Sequence, residues 1–456
     1  MKAQDRFSEF GAALPIPEMP SMTASSPTAQ QSLIKRAPMA FAFGCLMLFM
    51  IVYYARPEDW VPGFRYVHLA KILGILTILA FLAELGNVRQ RWPREVVYLF
   101  MLLGQMILTI PFSPIWKGGA FKVTLGFAYV VPMILVICLA VNTLPRLRRI
   151  LFWEAAPIAM VAAVAIVKFR NTGGRLEGVM NGNYANPNDL ALTIVVALPI
   201  CLAFMLRSRN NLVKTIWLGC IAVMTYAVVL TASRAGILAF ALAMGVSLWH
   251  FSIKGRHRYL LIVFGGLAIC ALFTSGGQLK RRYEAIVNPQ EYQSAYGSAE
   301  QREALLVKSI AVSFKYPIFG LGPGNFNTYS GSWHVTHNTY TQLSSETGLP
   351  GFILYVMILW CAAKNLRKAR RITRSQGELD LFVCALHASL LAFLVGSFFA
   401  SEGYQYFTYF LIAYTTAVYQ IAKQKGQMTI SNSQRQARVE KEEFREQARE
   451  TVWSTL

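Results

Sequence analysis

The chain has 456 residues, 55% of them hydrophobic and 15% charged, with a mean hydropathy of +0.40. Soluble globular proteins carry about 25% charged residues, so a water-soluble enzyme of this length is excluded. Lys and Arg outnumber Asp and Glu by 44 to 23, a surplus that suits either nucleic acid or the cytoplasmic loops of a membrane protein; its distribution decides.

Residues 1–36 are polar, rich in Pro, Ser and Thr, and lack the apolar core and cleavage pattern of a secretory signal, so they read as a disordered cytoplasmic tail. Apolar runs of roughly 16 to 20 residues follow, each able to cross a hydrocarbon core of about 30 Å. Region 37–274 carries nine of them: Ala37 to Tyr54, Leu69 to Leu85, Val96 to Phe112, Val123 to Val141, Ile150 to Val167, Leu190 to Leu206, Thr215 to Leu230, Ala235 to Phe251 and Tyr259 to Thr274. A large outer loop occupies 275–337, three further spans lie in 338–422 (Asn338 to Ala363, Leu381 to Ala400, Tyr404 to Ala422), and 423–456 is a cytoplasmic tail. The fold class is all-α: a polytopic membrane protein with about 12 transmembrane helices and helices within the outer loop.

Two joins carry this count. A single helix over Thr215 to Phe251, about 37 residues, would run roughly 55 Å, nearly twice the membrane's apolar thickness. Ser233-Arg234 there, and Ser401-Glu402-Gly403 between Leu381 and Ala422, are expected to fold the chain back as tight hairpins. With the N-terminus inside, the short inner loops hold about 18 basic residues against about 7 in the short outer loops, which sets the orientation. Both termini then face the cytoplasm and the basic surplus is topological, with no nucleic-acid partner expected. All seven cysteines fall inside predicted spans with no metal-pair spacing. No short repeat or inverted halves are evident, so the usual transporter signature is missing. Gln434 to Thr451 reads as a solvated helix.

Basic residues on the outer side call for a local reason. Arg175 precedes Asn183-Tyr-Ala-Asn-Pro-Asn-Asp189, whose Asn186, Asn188 and Asp189 either cap the following helix or bind a polar ligand. Arg234, between two apolar runs, either meets an anionic substrate group or snorkels to lipid phosphates. In the outer loop, Ala304, Leu305, Val307, Ile310, Ala311 and Phe314 recur at helical spacing, predicting an amphipathic helix over Ser298 to Lys315 that Arg302 opens, on or near the membrane surface. The glycines of Tyr316-Pro-Ile-Phe-Gly-Leu-Gly-Pro-Gly-Asn-Phe326 follow no strand and so do not read as a nucleotide loop; they predict a compact turn with close backbone approach. His337 stands at the next helix N-terminus, where the dipole favours neutral imidazole: either a proton acceptor or a structural histidine. Asn338, Tyr340, Glu346, Gly348 and Gly351 follow it.

Taken together, Thr231-Ala-Ser-Arg234-Ala-Gly, Arg302 with Pro317 to Phe326, His337-Asn338 with Tyr340, Glu346 and Gly348, and Arg175 with Asn186-Pro-Asn188 resemble the O-antigen ligase and polymerase family of bacterial envelope biogenesis. Ala235 stands where that family's Ser-Arg signature often has Gly. The resemblance implies a GT-C-type, inverting, metal-independent glycosyltransferase of the bacterial inner membrane, needing no cofactor and working at the periplasmic face. It would move glycan from undecaprenyl pyrophosphate to an acceptor hydroxyl. That acceptor is lipid A-core in a ligase, another carrier-linked glycan in a repeat-unit polymerase, or protein in an O-oligosaccharyltransferase. Its partners would be these substrates and membrane lipids. In this reading Arg234 and Arg302 stabilise the pyrophosphate leaving group and His337 is the base, making these the catalytic residues. Arg175, Asn186, Asn188, Asn338, Tyr340 and Glu346 contact substrate, Glu346 also orienting His337. Two rivals are a metal-dependent transferase using Glu58 and Asp59 and a proton-coupled transporter using Glu154, His250, Glu346 and His387.

Overall fold

The computed structural model describes residues 39–61, 63–87, 92–168, 171–172, 175–178, 186–255, 257–263, 265–266, 293–331, 334–374 and 377–454. The N-terminal tail, most of the ninth expected span, the first part of the outer loop, Asn183 and Cys270 lie outside them.

The chain is an all-α polytopic membrane protein. Its helices are α1 Ala40–Ala55, α2 Pro57–Trp60, α3 Leu69–Glu84, α4 Arg94–Phe112, α5 Lys117–Ala128, α6 Val130–Ala140, α7 Leu144–Lys168, α8 Pro187–Arg207, α9 Asn211–Leu230, α10 Arg234–Leu248, α11 Gln293–Lys315, α12 Phe326–Ser330, α13 Thr339–Thr373, α14 Glu378–Gly396 and α15 Tyr406–Ser454. The exception to helix among the described residues is a two-residue antiparallel ladder, β1 Asn171–Thr172 with β2 Arg175–Leu176.

Nine stretches among the described residues are long and apolar enough to cross a membrane, fewer than the twelve expected. One of the three others, Tyr259 to Thr274, lies mostly outside the described residues, and the remaining two fall short for physical reasons. Helix α3 has 16 residues, short of a full span. The start of α15 is threaded with Thr408, Thr415 and Thr416, which are buried against other helices and need less apolar surface. Both expected hairpins are present: α9 ends at Leu230 and α10 starts at Arg234, while α14 ends at Gly396 and α15 starts at Tyr406. The last helix continues without a break to Ser454, so the charged C-terminal stretch extends α15.

Helix α8 is the axis of the bundle, apolar on every face and packed by α7, α9, α10 and α14. Of its spanning window 89% is buried, against 33% for α4 and for α9, whose remaining apolar faces meet hydrocarbon. The described cysteines are free, consistent with packing roles.

Side-chain contacts define the two ends. At one, Arg148 of α7 donates to Glu378 at 2.6 and 2.8 Å, and Arg207 at the end of α8 lies 2.6 Å from the same carboxylate. Arg146 is buried there and donates to the Ala140 carbonyl at 2.8 Å. Arg146, Arg148 and Arg207 therefore gather at the end where α8 finishes and α14 begins. At the opposite end, the first turns of α8, α10, α13 and α15 meet the last turns of α9 and α14.

Candidate active site

Three helix N-termini converge at that second end, each capped by its own side chain. Asn186 accepts from the Asn188 N–H at 2.9 Å, Ser233 from Gly236 at 3.1 Å, and Asn338 from Tyr340 and Thr341 at 2.9 and 3.1 Å. The caps of α8 and α10 are joined by the Ser233 hydroxyl donating to Asn188 at 2.8 Å, and the positive end of each helix is a setting that favours anionic groups.

Arg234 is the first residue of α10 and its side chain is exposed. The turn that delivers it is tight: Ala232 takes φ 46°, in the left-handed region.

Arg302 lies on α11, which is docked through a rigid loop. Pro317 to Phe326 is clasped between α13 and the α4–α5 connection. Leu321 and Gly322 donate to the Ser345 and Glu346 carbonyls, each at 2.9 Å, and Leu349 donates to Pro317 at 2.7 Å. Gln105 donates to the Ile318 and Thr347 carbonyls at 2.8 and 3.0 Å. Asn325, wholly buried, donates to Ser113 at 2.8 Å and to Trp116 and Leu321. This is the close backbone approach that the glycines predict. A Cβ on Gly320 would sit 2.5 Å from the Glu346 carbonyl carbon, and one on Gly348 would sit 2.3 Å from the Ile318 oxygen. Gly348 breaks α13 with φ 73° and ψ 175°, opening the backbone that the loop binds.

His337 immediately precedes the Asn338 cap and holds φ 51°, uncommon for a residue with a side chain. The surrounding backbone fixes it there. Thr339 donates to the Ser397 carbonyl at 2.8 Å through its N–H and to Ala400 at 2.7 Å through its hydroxyl, and Glu402 N–H donates to Thr339 Oγ1 at 2.9 Å. Thr336 and Ser401 hydroxyls lie 3.1 Å apart.

The electrostatics tie the cations together. Partial burial, and then the neighbouring Arg234, lower the pKa of Arg302 from its ordinary value. Burial, then Arg302, then His334 push His337 down to about 4, so its imidazole is neutral at pH 7. Arg234, Arg302 and His337 therefore share one electrostatic neighbourhood.

The residues expected to contact substrate have protein partners. Arg175 donates to the Thr231 carbonyl and to Asn188 Oδ1, both at 2.9 Å. Asn186 and Asn338 are caps. Tyr340 donates to the Leu394 carbonyl at 2.8 Å. Glu346, 3% exposed, accepts from the Gly324 and Phe326 N–H groups at 2.9 and 3.1 Å and so anchors the glycine loop; neither bond reaches His337. Sequence reasoning missed Gln105, Ser113, Thr336, Thr339 and Tyr404. Tyr404 faces Glu346.

The rival sites are differently engaged. Asp59 pairs with Arg56, and Glu58 accepts from the Ala70 N–H at 3.1 Å, capping α3. His250 and His387 contact each other at 3.1 Å, whereas Glu346 is committed to the loop at the other end.

Residues 219–356 match the O-antigen ligase family profile. That segment runs from within α9 to the middle of α13 and includes Arg234, Arg302, His337 and Glu346, whereas Arg175 and Asn186-Pro-Asn188 lie before it. Over that segment, under a third of the chain, the protein is similar to the O-antigen ligase family. A search of curated proteins returns no match.

Proposed function

We propose, with the O-antigen ligase domain at 219–356 as premise, that this membrane protein transfers a glycan from undecaprenyl pyrophosphate to a hydroxyl of lipid A-core. The transfer takes place at the periplasmic face of the bacterial inner membrane, by an inverting, metal-independent GT-C mechanism. The observation that supports this reading is the placement of Arg234 at the start of α10 and of His337 just before the Asn338 cap of α13, with Arg302 lowering the proton affinity of His337 and itself influenced by Arg234.

The acceptor oxygen attacks the anomeric carbon as the bond from that carbon to the pyrophosphate oxygen breaks. The bonding pair leaves with the carrier diphosphate, whose growing charge is met by the Arg234 and Arg302 guanidiniums. Neutral His337 takes the hydroxyl proton. Two arginines near each other repel until an anion lies between them, so a bound diphosphate relieves that repulsion. The same anion offsets the influence of Arg302 on His337 and raises the imidazole's proton affinity when a base is needed. Attack opposite the leaving group inverts the anomeric centre.

Reconstitution with a carrier-linked glycan and a panel of acceptors, in chelator, tests the reading. Arg234→Ala, Arg302→Ala and His337→Ala should each abolish transfer, and full transfer by all three would refute the site. Preference for another carrier-linked glycan or for protein would make the chain a polymerase or an O-oligosaccharyltransferase. Gly331 is exposed, so Gly331→Cys should react with an impermeant maleimide from the periplasm; labelling only after inner-membrane lysis would reverse the orientation.

A further inference from the structure

Arg175 is the cation that the site's geometry treats differently. Its Nε donates to the Thr231 carbonyl and its Nη2 to Asn188 Oδ1, both at 2.9 Å. The same Asn188 oxygen accepts from the Ser233 hydroxyl at 2.8 Å, and that hydroxyl accepts from the Gly236 N–H at 3.1 Å. One guanidinium thus grips the turn at Thr231 directly and at Ser233 through Asn188. The residue between those two points is Ala232, with φ 46°. An L-residue with a Cβ pays a steric penalty there that glycine does not. Arg234 follows directly, as the first residue of α10.

We propose that Arg175 is a positioning residue: it holds the strained Thr231–Ser233 turn in the conformation that aims Arg234, and does not itself bind the carrier diphosphate. The inference rests on the proposed role of Arg234. Its physical content is that the clamp matters because Ala232 resists the turn. Removing the Cβ that resists should make the clamp dispensable.

The test uses the full-length protein in detergent with undecaprenyl pyrophosphate as the binding probe. Arg175→Ala should weaken binding by about tenfold, the scale set by a left-handed penalty of roughly 1–2 kcal/mol. Ala232→Gly alone should bind within about twofold of the parent, and the Arg175→Ala/Ala232→Gly double variant should recover most of the lost affinity. Loss without recovery overturns the proposal, because a direct ligand to the diphosphate cannot be replaced by a flexible turn. Undiminished binding by Arg175→Ala overturns it as well. Should Arg175→Ala fail to accumulate, Arg175→Gln, which keeps bulk and a donor, is read against the same glycine rescue. Arg234→Ala separates the two levels of argument. If it binds the probe as tightly as the parent, the proposed site falls; if it loses binding and the rescue fails, only the role of Arg175 falls.

Discussion

The guanidinium of Arg302 stands near enough to His337 to depress the imidazole's proton affinity, beneath the larger effect of burial. With its pKa at about 4, His337 stays neutral in the free protein well below pH 6. A bound diphosphate offsets the cation, so the imidazole titrates at higher pH in the complex. The acid limb of kcat/KM reports the free protein and that of kcat the complex. The limb of kcat should therefore lie at higher pH. Arg302→Lys keeps the charge and should preserve this offset where it retains activity, whereas coincident limbs would remove the electrostatic link.

Glu346 supports Arg302 from a distance. Removing its carboxylate strands the partly buried Gly324 and buried Phe326 N–H groups, at up to about 1–3 kcal/mol for each unsatisfied donor. Glu346→Ala should lower the thermal midpoint in detergent by several degrees and slow transfer by the folded fraction, because the loop after α11 loses its anchor. Glu346→Gln, which keeps one acceptor, should fall between. Gly348→Ala should be at least as damaging, since its Cβ would sit 2.3 Å from the Ile318 oxygen at a φ of 73°. Unchanged melting of the Gly348→Ala protein would contradict the docked loop.

What can be read from the sequence follows a physical divide. Span positions and both hairpins are local properties of hydropathy and of Ser233-Arg234 or Ser401-Gly403, and they are legible. So is the cap at Asn186, because a cap and its helix lie within a few residues, whereas Asn338, expected to contact substrate, caps α13. Arg234 and His337 stand out because each is polar at the edge of an apolar run. The roles of Glu346 and Arg175 are not legible. The first depends on a loop 20 or more residues away, and the second on Thr231, 56 residues on. Gln105 and Ser113 meet their loop partners across separations above 200 residues, with no local pattern to announce them. The start of α15 is less apolar than the other spans because Thr408, Thr415 and Thr416 are buried against neighbouring helices.

Metal dependence can be tested on the acids of the α1–α3 connection. Asp59 is paired with Arg56, and Glu58 caps α3 through Ala70. Their carboxylates have structural work that leaves little charge for a divalent ion. Transfer should persist in excess EDTA, and Asp59→Asn, which weakens a partly buried pair, should reduce stability by about 1–3 kcal/mol, the scale of a hydrogen bond to a charged group, with little change in rate per folded molecule. Activity lost in EDTA and restored by magnesium or manganese would return the metal-dependent reading.

Glu378 offers the control that separates folding from chemistry. It lies between Arg148 and Arg207 at the basic end, and α14, with its 19 residues, places it about 28 Å from the site end at 1.5 Å per residue. Glu378→Gln leaves two guanidiniums facing a neutral amide, a cost of about 1–3 kcal/mol for a partly buried pair. Its thermal midpoint should fall much as that of Glu346→Ala does. Its turnover, measured per folded molecule, should remain that of the parent, because nothing between α14 and the arginine pair depends on that charge. Equal loss of turnover in the two variants would mean that the helical bundle relays disorder from either end, and the specific coupling of Glu346 to Arg302 through the glycine loop would lose its support.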